Sequence, residues 1–131
     1  MSIRVMVVDD HPVVRQGLRS LLSNYDDINL VADADSGPAA LEAADRDDPD
    51  VVVMDIRLGG ADGIQVAERL RRRHPNTKVI VLTSYDDDGY LLRALKANAH
   101  AFLLKSASDE MLVGAIRRVH DGERLLSPSL L

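Results

Sequence analysis

The chain has 131 residues, enough for one domain with a single core, and its 46% hydrophobic and 28% charged residues are the proportions of a folded globular protein rather than a disordered one. A formal charge of -5 argues against this chain gripping a nucleic-acid backbone by itself, because that affinity comes from Lys and Arg neutralising phosphates. No apolar run approaches the roughly 20 residues of a bilayer span, no signal-peptide pattern opens the chain, and there is no cysteine, so a cytoplasmic protein without membrane contact, disulfides or thiolate metal sites is expected.

Apolar runs start at Ile3 (IRVMVV), Ile28 (INLVAD), Val51 (VVVMD), Lys78 (KVIVLTS) and Ala101 (AFLLK), a spacing that fits alternating strands and helices. Val5, Met6, Val7 and Val8 are continuous rather than alternating, as in a strand buried on both faces of a parallel sheet. Between the runs the period turns helical: Val14, Leu18, Leu21 and Leu22, then Leu41 and Ala44, then Ile64, Ala67 and Leu70, then Leu91, Leu92 and Leu95. Met111, Leu112, Ala115, Ile116 and Val119 form a last stripe.

Helix punctuation agrees with this plan. Pro12 and Pro38 suit first turns, Asp86 to Asp88 favour a helix N-terminus, and Ser108 with Asp109 and Glu110 opens the last helix. Pro75 with Asn76 ends the third helix and Gly122 the fifth. Five strands alternating with five helices through right-handed crossovers predict a flavodoxin-like, doubly wound α/β fold, (βα)5. Its five-stranded parallel sheet has the order 2-1-3-4-5, with a switch point between strands 1 and 3. The domain is expected over residues 1–122, and residues 123–131 of GERLLSPSLL read as the start of a linker.

Ligands of open α/β sheets bind beyond the carboxyl ends of the strands. There strand 1 offers Asp9 and Asp10, strand 3 Asp55, strand 4 Thr83 and Ser84, and strand 5 Lys105. Carboxylates brought to one rim resist ionising together unless a cation joins them, and Mg2+, a hard ion that keeps several waters, meets that need. A metal and a lysine are what a transferring phosphoryl group requires, and a carboxylate in such a site can itself be the nucleophile. Asp55 is the best candidate because its strand flanks the switch point. His11, beside the acidic pair, is read as a helix-start residue facing solvent rather than as a ligand.

The acidic pair after strand 1, Asp55, the Asp62-Gly63 pair seven residues later, Thr83 and Lys105 together resemble the receiver domain of two-component response regulators, over about residues 3–122. The stretches HPVVRQGL, DIRL, LTSYDDD, LLKSAS and GERLLSPSLL are similar to the NarL/LuxR-type subfamily. The resemblance implies that Asp55 is the phosphoacceptor, that Asp9, Asp10, Asp55 and the Arg57 backbone carbonyl hold Mg2+, that Thr83 and Lys105 bind the phosphoryl group, and that Phe102 is an aromatic switch residue. It further implies a sensor histidine kinase as partner, a homodimer as one assembly, and DNA binding and transcriptional control through a C-terminal helix-turn-helix domain that this chain does not include. The catalysis implied is confined to the chain's own phosphorylation and dephosphorylation. A surface formed by the fourth helix, strand 5 and the fifth helix, with Tyr90, Leu91 and Arg93, would report the switch. Arg57 and Tyr85, each two residues past a site residue, are expected to tune the lifetime of the phosphorylated state.

Two departures from the family pattern stand out. Leu58-Gly59 replaces the usual Met-Pro, and Ser106 follows Lys105 where most receivers have a cis proline, leaving the isomer of the Lys105-Ser106 bond open. The rival readings are a stand-alone receiver, an aspartate-nucleophile phosphatase of the haloacid dehalogenase type, and a flavodoxin. The phosphatase motif D-x-D is broken by Arg57, and the DDHPVV loop is acidic where a flavin phosphate would need Gly, Ser and Thr.

Overall fold

The computed structural model describes residues 2–58, 61–83 and 99–126. Its elements are β1 (Ile3–Val8), α1 (Pro12–Leu22), β2 (Ile28–Ala34), α2 (Gly37–Asp47), β3 (Val51–Asp55), the two-residue strands β4 (Arg57–Leu58) and β5 (Ala61–Asp62), α3 (Gly63–Arg73), β6 (Lys78–Thr83), β7 (Ala101–Leu104), α4 (Asp109–His120) and β8 (Leu125–Leu126). Here α4 is the fifth helical stripe of the sequence. The fourth stripe, with Leu91, Leu92 and Leu95, and the reporter positions Tyr90, Leu91 and Arg93 lie outside the described residues.

The five long strands pair in parallel in the order β2-β1-β3-β6-β7, which is the expected 2-1-3-4-5. Their apolar residues alternate between two cores, as strand geometry requires. Val5, Val7, Val53, Ile80 and Leu103 join Leu22 of α1 and Ile116 of α4 on one face. Met6, Val8, Met54, Val81 and Phe102 join Ala40 of α2 and Leu70 of α3 on the other. Covering both faces explains why the strands read as unbroken apolar runs.

Two features depart from the sequence reading. Leu125 and Leu126, assigned above to a linker, pair in parallel with Ala101 and Phe102 and add a sixth strand at the sheet edge. Gly122 makes the turn that permits this, with φ of +99°. Arg57-Leu58 and Ala61-Asp62 form a small antiparallel ladder between β3 and α3, a connection too short for its period to be read.

Helix starts follow the expected chemistry. Ser36 accepts a hydrogen bond from the Ala39 amide, Asp62 from the Ile64 amide and Ser108 from the Met111 amide. Gly63 has a second role, because a Cβ there would lie 2.5 Å from the Asp55 carbonyl oxygen and 2.6 Å from that of Ile56. The Gly63 amide donates to Ile56 O at 2.8 Å, so α3 begins pressed against the backbone of the β3 terminus. Replacing Gly63 with Ala must push the two apart. We expect a loss of about 1–3 kcal/mol in urea denaturation; unchanged midpoints would show that the contact does not constrain α3.

His100, at the opposite end of the sheet, is buried and keeps Nδ1 as an acceptor for the Val79 amide at 3.2 Å. Burial, then the nearby cations Arg71, Lys78 and Arg124, push its pKa down to about 4 from 6.5. The unfolded chain therefore binds a proton at higher pH than the folded one, so this contribution is complete above pH 6.5 and is lost as pH falls toward 4. Its ceiling is about 3 kcal/mol. The expected result is a flatter stability profile for His100→Gln than for the wild type between pH 6.5 and 4 in chemical denaturation.

Candidate functional site

Asp55 ends β3 at the sheet's carboxyl rim and is 1% exposed. Its Oδ2 accepts a hydrogen bond from Lys105 Nζ at 2.8 Å and its Oδ1 one from the Arg57 amide at 3.1 Å. Burial raises its pKa, Lys105 and the Arg57 amide act against that, and the Asp9 charge adds to the rise. An opposite charge and an amide donor thus hold a carboxylate in a place that would otherwise reject it.

Asp9 lies just past β1, on the strand next to Asp55's, and is equally buried. Its amide donates to Ala34 O at 3.0 Å, its Oδ1 accepts from the His11 amide at 2.8 Å, and its carbonyl accepts from Arg15 Nη1 at 2.8 Å. The bond to His11 gives Asp9 a part in starting α1, whose N-cap His11 makes no side-chain cap of its own. Asp10 differs: its Oδ1 is buried and accepts no hydrogen bond. His11 Nδ1 is 2.9 Å from Asp10 Oδ1 and also 2.9 Å from Asp9 Oδ1, and a single Nδ1–H satisfies the geometry only toward Asp9. His11 is the helix-start, solvent-exposed residue that was expected, yet its ring also leans on both carboxylates. The hydrogen bond to Asp9, then the Asp10 charge, raise its pKa.

One ligand atom from each of Asp9, Asp10, His11 and Asp55 falls within a sphere where all are no more than 4.8 Å apart. Three carboxylates, one with a buried oxygen that accepts no hydrogen bond, fit a hard divalent cation such as Mg2+. The histidine nitrogen is the softer and more exposed member of the set.

The remaining predicted residues frame this cluster. Thr83 ends β6 fully buried, and its carbonyl accepts the Lys105 amide at 2.6 Å, tying the ends of β6 and β7 together. Lys105 follows β7, and no described peptide bond is cis, so the Lys105-Ser106 bond is trans. Phe102 is fully buried in the core on the α2 and α3 side. Arg57 brings its amide to Asp55 while its side chain is exposed. Tyr85, Ser84 and Asp86 to Asp88 lie outside the described residues.

Sequence reasoning missed Arg15 and Asp33, which join the tips of α1, β1 and β2 behind the acidic pair. The only signal was charge: Arg15 and Arg19 stand one turn apart on α1, and Asp33 closes the second apolar run.

Residues 5–117 match the family model described as the response regulator receiver domain. The chain is 40% identical over 128 residues to the response regulator GacA of Pseudomonas viridiflava, covering 98% of this chain and 60% of that protein. It thus spans about three fifths of the length of this curated relative. Among solved structures, a two-component response regulator of the LuxR family from Aurantimonas sp. SI85-9A1 superposes with a TM-score of 0.91 at 32% identity, covering 99% of this chain and 93% of that one. The signal receiver domain of the putative response regulator NarL from Mycobacterium tuberculosis gives 0.87 at 37% identity, covering 93% and 98%. With its acidic rim, its Asp55–Lys105 pair and a family match over most of its length, the chain belongs to the response regulator receiver domain family.

Proposed function

We propose that this receiver domain takes a phosphoryl group on Asp55 from a sensor histidine kinase, and that the modification controls a C-terminal DNA-binding domain of LuxR type and hence transcription in the cytoplasm. The observation that carries this reading is the buried Asp55 carboxylate paired at 2.8 Å with Lys105 beside an acidic cluster in which a buried Asp10 oxygen accepts no hydrogen bond. The LuxR-family neighbour and the greater length of the curated relative support the output domain, and a homodimer is the assembly through which two such domains would act. Catalysis is limited to the chain's own phosphorylation and dephosphorylation.

Asp9, Asp10, Asp55 and the Arg57 carbonyl would hold Mg2+. Bound there, the ion supplies charge neutralisation for the incoming phosphoryl oxygens. An Asp55 carboxylate oxygen attacks phosphorus, the phosphorus–nitrogen bond of the donor phosphohistidine breaks, and its electron pair leaves with the imidazole. Lys105 then exchanges its partner, from a carboxylate oxygen to a phosphoryl oxygen. Thr83 donates its hydroxyl to another phosphoryl oxygen, and Phe102 repacks between two states on the α2 and α3 side of the sheet. Hydrolysis needs water in line with the aspartyl phosphate, and Arg57 and Tyr85 restrict that approach.

Intact mass is the direct test. With acetyl phosphate and Mg2+ the wild type should gain one phosphoryl group, whereas Asp55→Asn, or the wild type with chelator in excess, should gain none. A gain that survives Asp55→Asn rejects the assignment. Lifetimes test the shielding residues: Arg57→Asn and Tyr85→Ala should each lose phosphate faster than the wild type, by up to about tenfold for about 1.4 kcal/mol of barrier. Equal decay in all three proteins would remove Arg57 and Tyr85 from the site.

A further inference from the structure

The pairing of β1 with β2 contains one irregularity, and it points at the metal carboxylates. Register passes from Val5 opposite Leu30 to Met6 opposite Ala32, leaving Val31 as an extra residue in β2. A one-residue bulge reverses which face each later side chain takes. Accordingly Ile28 and Leu30 pack with the α1-side core, whereas Ala32 and Ala34 pack with the α2-side core. Asp33, between those two alanines, is thereby turned toward α1. There it forms ion pairs with Arg19 and with Arg15, whose Nε lies 3.8 Å from its Oδ1.

Arg15 is four-fifths buried and spends its other guanidinium arm on the Asp9 carbonyl, at 2.8 Å. The peptide unit is planar, so fixing that carbonyl fixes the plane of the Asp9–Asp10 bond and the direction in which Asp10 leaves it. Asp10 needs such help, because its buried Oδ1 accepts no hydrogen bond. Asp9, in contrast, is held on its amide and its side chain as well. We infer that Arg15, aimed by the bulge-placed Asp33, is a positioning residue that sets Mg2+ affinity by locking the Asp9–Asp10 peptide. This rests on the metal site proposed above.

Charge and geometry make opposite demands here, which makes the inference decidable. A guanidinium near a cation site opposes metal binding by Coulomb repulsion, so if Arg15 acted by charge alone its removal would tighten Mg2+. If it acts by locking the peptide, its removal loosens Mg2+. Lys keeps the charge and loses the planar fork that reaches Asp33 and the Asp9 carbonyl together.

The experiment is a Mg2+ titration followed by backbone amide shifts, on wild type, Arg15→Met and Arg15→Lys, with thermal midpoints recorded without metal. Arg15→Met should bind Mg2+ about tenfold more weakly, the scale of losing an outer-shell support. Arg15→Lys should fall between it and wild type, and serves alone if Arg15→Met does not fold. Phosphorylation by acetyl phosphate should return to the wild-type rate at saturating Mg2+, which a general loss of structure would prevent. Unchanged or tighter Mg2+ binding in the variants, with the wild type binding normally, overturns the inference while leaving the proposed function intact. No Mg2+ binding by the wild type overturns the metal site and the inference together.

Discussion

Three carboxylates at one rim, two of them almost wholly buried, are the constraint around which this structure is arranged. Asp9 and Asp55 are each 1% exposed and sit on neighbouring strands. Burial and the nearby Asp9 charge both oppose ionisation of Asp55, and an uncompensated buried charge costs several kcal/mol. The fold answers with named groups: Lys105 and the Arg57 amide on the Asp55 carboxylate, the His11 amide on that of Asp9, and the cationic tendency of His11 beside both acids of the pair. Asp10 alone keeps a buried oxygen without a hydrogen bond. The rim therefore keeps one buried carboxylate oxygen that a cation at the cluster would satisfy.

Most of the fold was legible because the strands are buried on both faces. Runs such as IRVMVV and VVVMD can mean little else when successive starts are 23 to 27 residues apart and a stretch of helical period lies between them, and the parallel order follows from right-handed crossovers. The acidic pair, Asp55, Thr83 and Lys105 were legible for the same reason: each is the first polar residue after an apolar run, or close to it, and all such ends meet on one edge. What escaped was short or relational. The strand at Leu125–Leu126 and the ladder at Arg57–Leu58 have too few residues to show a period.

The bulge at Val31 escaped for a sharper reason. Reading INLVADA with strict alternation puts Leu30, Ala32 and Ala34 on one face and sends Asp33 to the α2 side. The structure divides those residues between the two cores and sends Asp33 to α1. Nothing local in the sequence specifies the extra residue. It becomes intelligible only with α1 in place, where Arg15 and Arg19 wait for a carboxylate. Gly63 is similar: in the sequence the Asp62-Gly63 pair is only part of the family pattern, and packing reveals that its missing Cβ lets α3 touch the backbone at the end of β3.

The route from the rim to the chain's last described residues is carried by one strand. β7 is hydrogen-bonded to β6 on one side and to β8 on the other. At its carboxyl end the Lys105 amide bonds to the Thr83 carbonyl, and near its start the His100 carbonyl accepts the Leu125 amide at 2.6 Å. Phe102 lies between, opposite Val81 in β6 and Leu126 in β8. By alternation along β6, Val81 and Thr83 share a face, so the aromatic ring and the Thr83 side chain belong to the same side of the sheet. In the proposed switch, a Thr83 hydroxyl drawn toward a phosphoryl group leaves space on that face, and Phe102 is the large side chain available to fill it. A close-packed core does not deform gradually, so such a vacancy favours a discrete repacking over a graded one. Because Phe102 is also a ladder partner of Leu126, the repacking would act directly on the edge strand β8.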